Sequence, residues 1–170
     1  MDEKNYVLIG FMGAGKTTVG KSLARKLGAD FQDTDAWIEQ EMGLAVSDIF
    51  REFGEEHFRL LETMLVRNLA FSLRHTVLSV GGGLPVKLEN QSYLKKIGKV
   101  IYLEVSKETV LRRLAKDTSR PLLAGEPSKV SNRIELLLKE RGPVYAALAD
   151  QVIMVDALSV EEIAEQIISI

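Results

Sequence analysis

The chain has 170 residues, 46% of them hydrophobic, enough to bury a sizeable core, and its length favours one domain over two. Its 22 basic and 24 acidic residues leave a net charge of −2, so no overall field gathers nucleic acid or an anionic membrane, and any anion must be held by a local cluster. It has no cysteine, which excludes disulfide frameworks, thiolate zinc sites and cysteine nucleophiles and is compatible with a reducing compartment.

The polar start, Met1-Asp2-Glu3-Lys4-Asn5, is followed by Tyr6-Val7-Leu8-Ile9, an apolar run too short for a signal-peptide core or a membrane span. A soluble, cytoplasmic protein is expected. The run suits a buried strand, and it leads into Gly10-Phe11-Met12-Gly13-Ala14-Gly15-Lys16-Thr17, which fits the GxxxxGK(S/T) phosphate-loop pattern at every fixed position. Val19, Leu23 and Leu27 then recur at i, i+4 spacing, with Ala24 beside them, as on a helix. In such a strand, loop and helix the glycines let backbone N–H groups turn around an anion, and the helix N-terminus adds its positive dipole end. Lys16 can reach the β and γ phosphates, and the Thr17 hydroxyl can ligate Mg²⁺.

Gly28 is a plausible helix end, and a short second strand over residues 29–31 leads to Asp33-Thr34-Asp35. Ligands of open α/β sheets gather outside the carboxyl ends of strands, so this carboxylate pair should lie beside the phosphate loop. Asp35 could instead simply cap the helix of Trp37, Ile38 and Met42. Residues 46–71 read as two helices broken at Gly54, and on spacing alone Arg59 and Glu62, three apart, form a solvated ion pair of little consequence.

The third strand, Thr76-Val77-Leu78-Ser79-Val80, runs into Gly81-Gly82-Gly83 and ends in no aspartate, which shifts Mg²⁺ positioning to Asp33. Three glycines at a strand's carboxyl end let a ligand approach the backbone closely. Val100-Ile101-Tyr102-Leu103 is a fourth strand, and Ser106 caps a helix with Val110, Leu111 and Leu114 on its apolar side. Residues 116–129 are aperiodic, with two prolines and a glycine, and read as a lid because Pro121-Leu122-Leu123 would have something to close upon. The next helix, 130–140, should stop at Arg141-Gly142-Pro143, with Arg141 at its negative dipole end. A last strand, Val152-Ile153-Met154-Val155, precedes a capping box, Ser159-Val160-Glu161-Glu162, and an amphipathic helix. Five strands alternating with helices imply a parallel sheet covered on both faces, a three-layer α/β/α phosphate-loop NTPase fold in one domain.

Taken together, Gly10 to Thr17, Asp33-Thr34-Asp35, Gly54-Glu55 with Phe58-Arg59 and Glu62, the three glycines, Arg120-Pro121-Leu122-Leu123, and Arg141 with Tyr145 and Asp150 resemble the shikimate kinases over nearly the whole chain. The resemblance implies transfer of the ATP γ-phosphoryl group to the 3-hydroxyl of shikimate, in aromatic amino acid biosynthesis. It implies that Gly13, Ala14, Gly15, Lys16, Thr17 and Thr18 hold the nucleotide, with Arg113 near adenine and Arg120 on the transferring phosphates. Thr17 and Asp33 would hold Mg²⁺, the latter through water. Asp35 would contact the acceptor hydroxyl and draw off its proton. Arg59 and Arg141 would grip the shikimate carboxylate, with Gly81 and Gly82 beside the same substrate and Glu62 supporting the site. Lys16, Asp35 and Arg120 form the expected catalytic set, in a monomer that needs neither nucleic acid nor membrane. The rival expectations are another small-molecule kinase, for gluconate or a nucleoside monophosphate, and a non-enzymatic nucleotide switch. After the last strand, Asp156-Ala157-Leu158 offers no cation or aromatic ring to stack on adenine.

Overall fold

Side chains alternate across a strand, so a strand buried on both faces must be apolar at successive positions. Val7, Leu8 and Ile9 meet that requirement, and the strand they build is the middle of the sheet. The computed structural model describes residues 4–116 and 125–169. Its strands are β1 (Tyr6–Ile9), β2 (Asp30–Asp33), β3 (Thr76–Ser79), β4 (Lys99–Glu104) and β5 (Gln151–Met154), all parallel in the order β2-β3-β1-β4-β5. The helices are α1 (Lys16–Leu27), α2 (Thr34–Met42), α3 (Val46–Phe53), α4 (Glu55–Ser72), α5 (Leu88–Ile97), α6 (Lys107–Leu114), α7 (Pro127–Leu148) and α8 (Val160–Ile168).

The alternation sorts the core into two layers. Leu8, Val77, Ile101 and Ile153 face α1, α6 and α8 through Val19, Leu23, Val110 and Ile163. Val7, Leu78, Val100 and Tyr102 face α4, α5 and α7 through Val66, Leu69, Leu94 and Tyr145. A satellite cluster of Ile38, Ile49 and Phe58 ties α2 and α3 to α4. The chain therefore has the α/β/α layers expected of it, with every strand's carboxyl end at one edge.

Several expected boundaries move. The second strand extends through Asp33, paired with Ser79 of β3. Gly54, at φ 84°, separates α3 from α4 as expected. Helix α5 is an addition to the expected elements, and Glu89 in its first turn, Lys95 and Lys96 in its last and Gly98 beyond its end are ordinary helix signals. The helix expected to stop at Arg141-Gly142-Pro143 runs on to Leu148 with Pro143 inside it. An interior proline costs about 3 kcal/mol, and the burial of Tyr145 and Leu148 in the second layer offsets that cost. Arg141 thus sits within a helix rather than at a helix end. Of the aperiodic stretch at 116–129, residues 127–129 form the first turn of α7, and 117–124, including Arg120 and Pro121-Leu122-Leu123, lie outside the described residues.

At the edge opposite the strand carboxyl ends the Asn5 side chain ties three segments together. Buried Asn5 donates Nδ2 to the carbonyls of Leu73 and Ile97 at 2.9 Å each and accepts the Thr76 N–H on Oδ1 at 3.0 Å. These contacts align the starts of β1 and β3 and the end of α5. Asn5→Ala leaves the Ile97 carbonyl and the Thr76 N–H without that partner, while Arg74 Nη1 still bonds the Leu73 carbonyl, and is expected to lower the unfolding free energy by roughly 2–4 kcal/mol, measured by urea titration, with kcat unchanged at 25 °C.

Candidate active site

The phosphate loop is held from beneath by its own apolar residues: Phe11 and Ala14 are buried in the first core layer. Gly15 takes φ 90°, a left-handed conformation that glycine adopts without strain, and stands as the N-cap of α1 with no side chain to bond the first-turn N–H groups. Those N–H groups are left to an anion, at the positive end of the helix dipole. Lys16 Nζ donates to the carbonyls of Gly10 and Phe11 at 2.8 and 3.0 Å, arching over the loop. Arg113, from α6, donates to the Gly13 carbonyl at 2.5 Å and so buttresses the loop from the β4 side.

Asp33 does two jobs at the end of β2. Its Oδ1 accepts the N–H groups of Asp35 and Ala36 at 3.0 and 3.2 Å, making it, not Asp35, the cap of α2. Its Oδ2 accepts the Thr17 hydroxyl at 3.3 Å. A hydroxyl and a carboxylate so placed suit Mg²⁺, which takes oxygen ligands and binds through one or two protein groups plus water and phosphate. Among the described residues no three acidic or histidine side chains cluster to hold a metal alone. Thr17 and Asp33 therefore fit the ion expected of them.

With Asp33 capping, Asp35 turns inward. Buried Thr34 accepts the Gly81 N–H on its hydroxyl at 3.0 Å, pinning the glycine loop to α2. A Cβ at Gly81 would lie 2.7 Å from Asp35 Oδ1 and 3.0 Å from Glu62 Oε1, so only glycine leaves room there. Neither oxygen accepts a hydrogen bond from the described residues. Burial, then the charge of Asp33, raises the Asp35 pKa against the pull of Lys16. Glu62 is 0% exposed, which corrects the expectation of a solvated pair: its Oε2 accepts from Arg59 Nη1 at 2.7 Å inside the protein. Burial pushes its carboxyl up to about 7 despite the lowering effect of Arg59.

The two arginines come from different helices and meet over the glycine loop. Arg59, on α4, is also held by Glu55 at 3.1 Å, and a Cβ at Gly83 would overlap its guanidinium. Arg141, on α7, has Nη1 3.5 Å from the point where a Cβ at Gly82 would lie, and the Gly10 carbonyl is 3.6 Å from that same point. Glu62 feels both guanidiniums. The structure thus brings Asp35, Arg59, Gly81, Gly82 and Arg141 together, directly against the phosphate loop.

Other expected residues fall elsewhere. Asp150 accepts from Val100 N–H at 2.8 Å and Lys95 Nζ at 2.6 Å, at the start of β4 and away from the cleft. Asp156 accepts the Ser106 N–H and so ties the loop after β5 to α6. Sequence spacing missed Thr34 and the Tyr145 hydroxyl, and their positions inside the Asp-Thr-Asp run and four residues after Arg141 are the signal that could have found them.

The shikimate kinase family model matches residues 12–170. The chain belongs to the shikimate kinase family. It is an ATP-dependent kinase that uses Mg²⁺ and acts on shikimate, in the route to aromatic amino acids. A shikimate kinase of Thermodesulfovibrio yellowstonii is 44% identical over 97% of this chain and 93% of its own length. One from Caldanaerobacter subterraneus is 45% identical over 97% and 94%. A solved shikimate kinase from Acinetobacter baumannii in complex with shikimate superposes with a TM-score of 0.92 at 38% identity, covering 99% of this chain and 92% of that one. A gluconokinase from Sinorhizobium meliloti, at 20% identity and a TM-score of 0.58, shares the fold alone.

The raised Glu62 pKa has a consequence for stability. The folded carboxyl holds its proton above the ordinary value of 4.5, so its contribution is complete below about pH 4.5 and is lost as pH rises through about 7. Unfolding at pH 5 and pH 8 should therefore show a decline in the parent protein that Glu62→Gln reduces by on the order of 2 kcal/mol. An unchanged difference between the two pH values would show Glu62 to be ionised throughout.

Proposed function

We propose that this chain transfers the γ-phosphoryl group of ATP to the 3-hydroxyl of shikimate in the cleft between the phosphate loop and Gly81-Gly82-Gly83, with the carboxylate of shikimate gripped by Arg59 and Arg141. The observation that carries the reading is the convergence of two guanidiniums and one inward-facing carboxylate on a glycine loop that touches the phosphate loop. A carboxylate-bearing ring needs a planar cationic fork at one end and a proton acceptor at the other.

In this scheme Asp35 Oδ1 takes the proton of the 3-hydroxyl. Burial, with the charge of Asp33, raises its pKa, which makes it a stronger base than an ordinary aspartate. Glu62 holds Arg59 in place, and Gly81 leaves the opening through which the acceptor meets Asp35. Lys16 and the first-turn N–H groups of α1, with Thr18, hold the donor phosphates. Thr17, and Asp33 through water, would hold Mg²⁺, which when bound neutralises charge on those phosphates. Arg113 would lie beside the adenine while bracing Gly13. The assignment of Arg120 to the phosphoryl group in flight rests on Arg120-Pro121-Leu122-Leu123 alone. Phosphoryl transfer asks mainly for positioning and charge neutralisation, and these residues supply both.

We further place the chain in the cytoplasm as a monomer, its 170 residues acting as one kinase domain. Among the described residues no helix is long and apolar enough to cross a membrane. A gluconate kinase is the alternative, against which the Asp-Thr-Asp run, the three glycines and the two arginines count as a set.

The test is ADP release with shikimate, gluconate and nucleoside monophosphates offered separately. Shikimate is expected to give the highest kcat/KM, with an absolute need for Mg²⁺, and a preference for gluconate would overturn the assignment. In the same assay Asp35→Asn should lower kcat by ~10²-fold with the shikimate KM little changed, and a normal kcat would remove Asp35 from the catalytic group.

A further inference from the structure

The mechanism leaves the hydroxyl of Tyr145, buried beside the cleft, unused. Tyr145 lies on α7, four residues after Arg141 and so on the same helical face. The side chain is 0% exposed, with its ring 5.2 Å from that of Tyr102 in the second core layer. Its hydroxyl donates to the Gly82 carbonyl at 2.5 Å, across 63 residues of chain. Arg141 faces the same hydroxyl: its Nη1 and the Tyr145 Oη each stand 3.5 Å from the position a Cβ at Gly82 would take. The guanidinium also offsets part of the upward push that burial gives the tyrosine pKa.

We propose that Tyr145 is a positioning residue for the acceptor, its hydroxyl joining the Gly82 carbonyl to the Arg141 guanidinium so that the arginine is already oriented when the substrate carboxylate arrives. An arginine has many rotamers, and a bidentate grip requires one orientation of its planar fork. Ordering that side chain before binding removes a cost that would otherwise fall on substrate affinity. The ring of Tyr145 would fill its core position equally well as phenylalanine, so packing alone does not call for the hydroxyl. The Gly82 carbonyl is a weaker explanation, since that group lies in a loop at the cleft that solvent or substrate can reach. The proposal rests on the reading of Arg141 as a carboxylate ligand.

The test compares Tyr145→Phe, Arg141→Ala and the double variant on shikimate and on a ring analogue lacking the carboxylate. Tyr145→Phe should raise the shikimate KM by ~10-fold while kcat and the ATP KM stay within ~3-fold, and the double variant should add less than ~2-fold to Arg141→Ala. The analogue should show no loss in Tyr145→Phe. As a control, Tyr102→Phe removes a neighbouring hydroxyl and should leave the shikimate KM unchanged. An unaltered shikimate KM in Tyr145→Phe, an equal rise for ATP, an equal loss with the analogue, or independent effects in the double variant would each overturn the proposal. If Arg141→Ala itself loses as much with the analogue as with shikimate, the carboxylate reading falls. If Arg141→Ala discriminates and Tyr145→Phe does not, the hydroxyl proposal falls alone. A second measurement needs no substitution at Tyr145. In protein labelled with ¹³Cζ-tyrosine, the Tyr145 resonance should move on saturation with shikimate and stay in place with the analogue, and a resonance indifferent to both ligands would likewise overturn the proposal.

Discussion

The constraint on which the rest depends is that β1 is buried on both faces and hydrogen-bonded on both edges. Its neighbours are β3 on one side and β4 on the other, so the chain leaving Ile9 can go only outward, over the carboxyl edge of the sheet. Because every strand is parallel, Asp33, the three glycines and the loop leading to α6 are delivered to that same edge. The site is thus a by-product of topology: the point where strand order reverses about β1 is where the phosphate loop and the glycine loop come into contact. Residues far apart in sequence, such as Gly10 and Gly82, meet without a dedicated contact to bring them together.

In a protein with a net charge of −2, two guanidiniums are gathered at one glycine loop. Arg59 and Arg141 are not free surface charges. Each is held by a neighbour whose own solvation has been given up, Glu62 for the first and the Tyr145 hydroxyl for the second. Burying Glu62 is unfavourable in isolation, but it keeps the Arg59 fork aimed at the glycine loop rather than sweeping through solvent. The same burial accounts for the glycines, since any side chain at Gly81 or Gly83 would enter the space taken by the carboxylates or by the Arg59 guanidinium. Order around the glycine loop is therefore obtained with charged and polar groups, while the phosphate loop presents backbone N–H groups and a helix dipole.

The sequence reveals those parts of this arrangement whose cause is local. The phosphate loop, the capping box at Ser159, the break at Gly54 and the alternation of strands with helices each rest on residues within a few positions of one another. What failed to show depends on the third dimension. Arg59 and Glu62 have the spacing of a common surface pair, and nothing within α4 reveals that α2 and the glycine loop close over them. Arg141-Gly142-Pro143 has the local grammar of a helix end, and the contrary evidence, a pocket for Tyr145 and Leu148, lies on other elements. Asp33 and Asp35 are both chemically able to cap α2, and the choice between them is set by where β2 ends, which pairing with β3 decides. Helix α5 carries local signals at both ends, with Glu89 in its first turn and Gly98 beyond its last.

The tie made by Asn5 lies at the far edge of the sheet from the cleft, as does the Asp150 contact with Val100. The ties of the rear rim are thus separated from the cleft, while Thr34 and Asp156 make their own ties at the carboxyl rim. Such a partition lets evolution, or an engineer, adjust melting temperature at the rear rim by changing hydrogen bonds and ion pairs there, while the geometry of phosphoryl transfer at the front rim is inherited unchanged. It also makes the rear rim the better place to attach a tag, a surface anchor or a fused partner, because crowding there does not narrow the path by which either substrate enters.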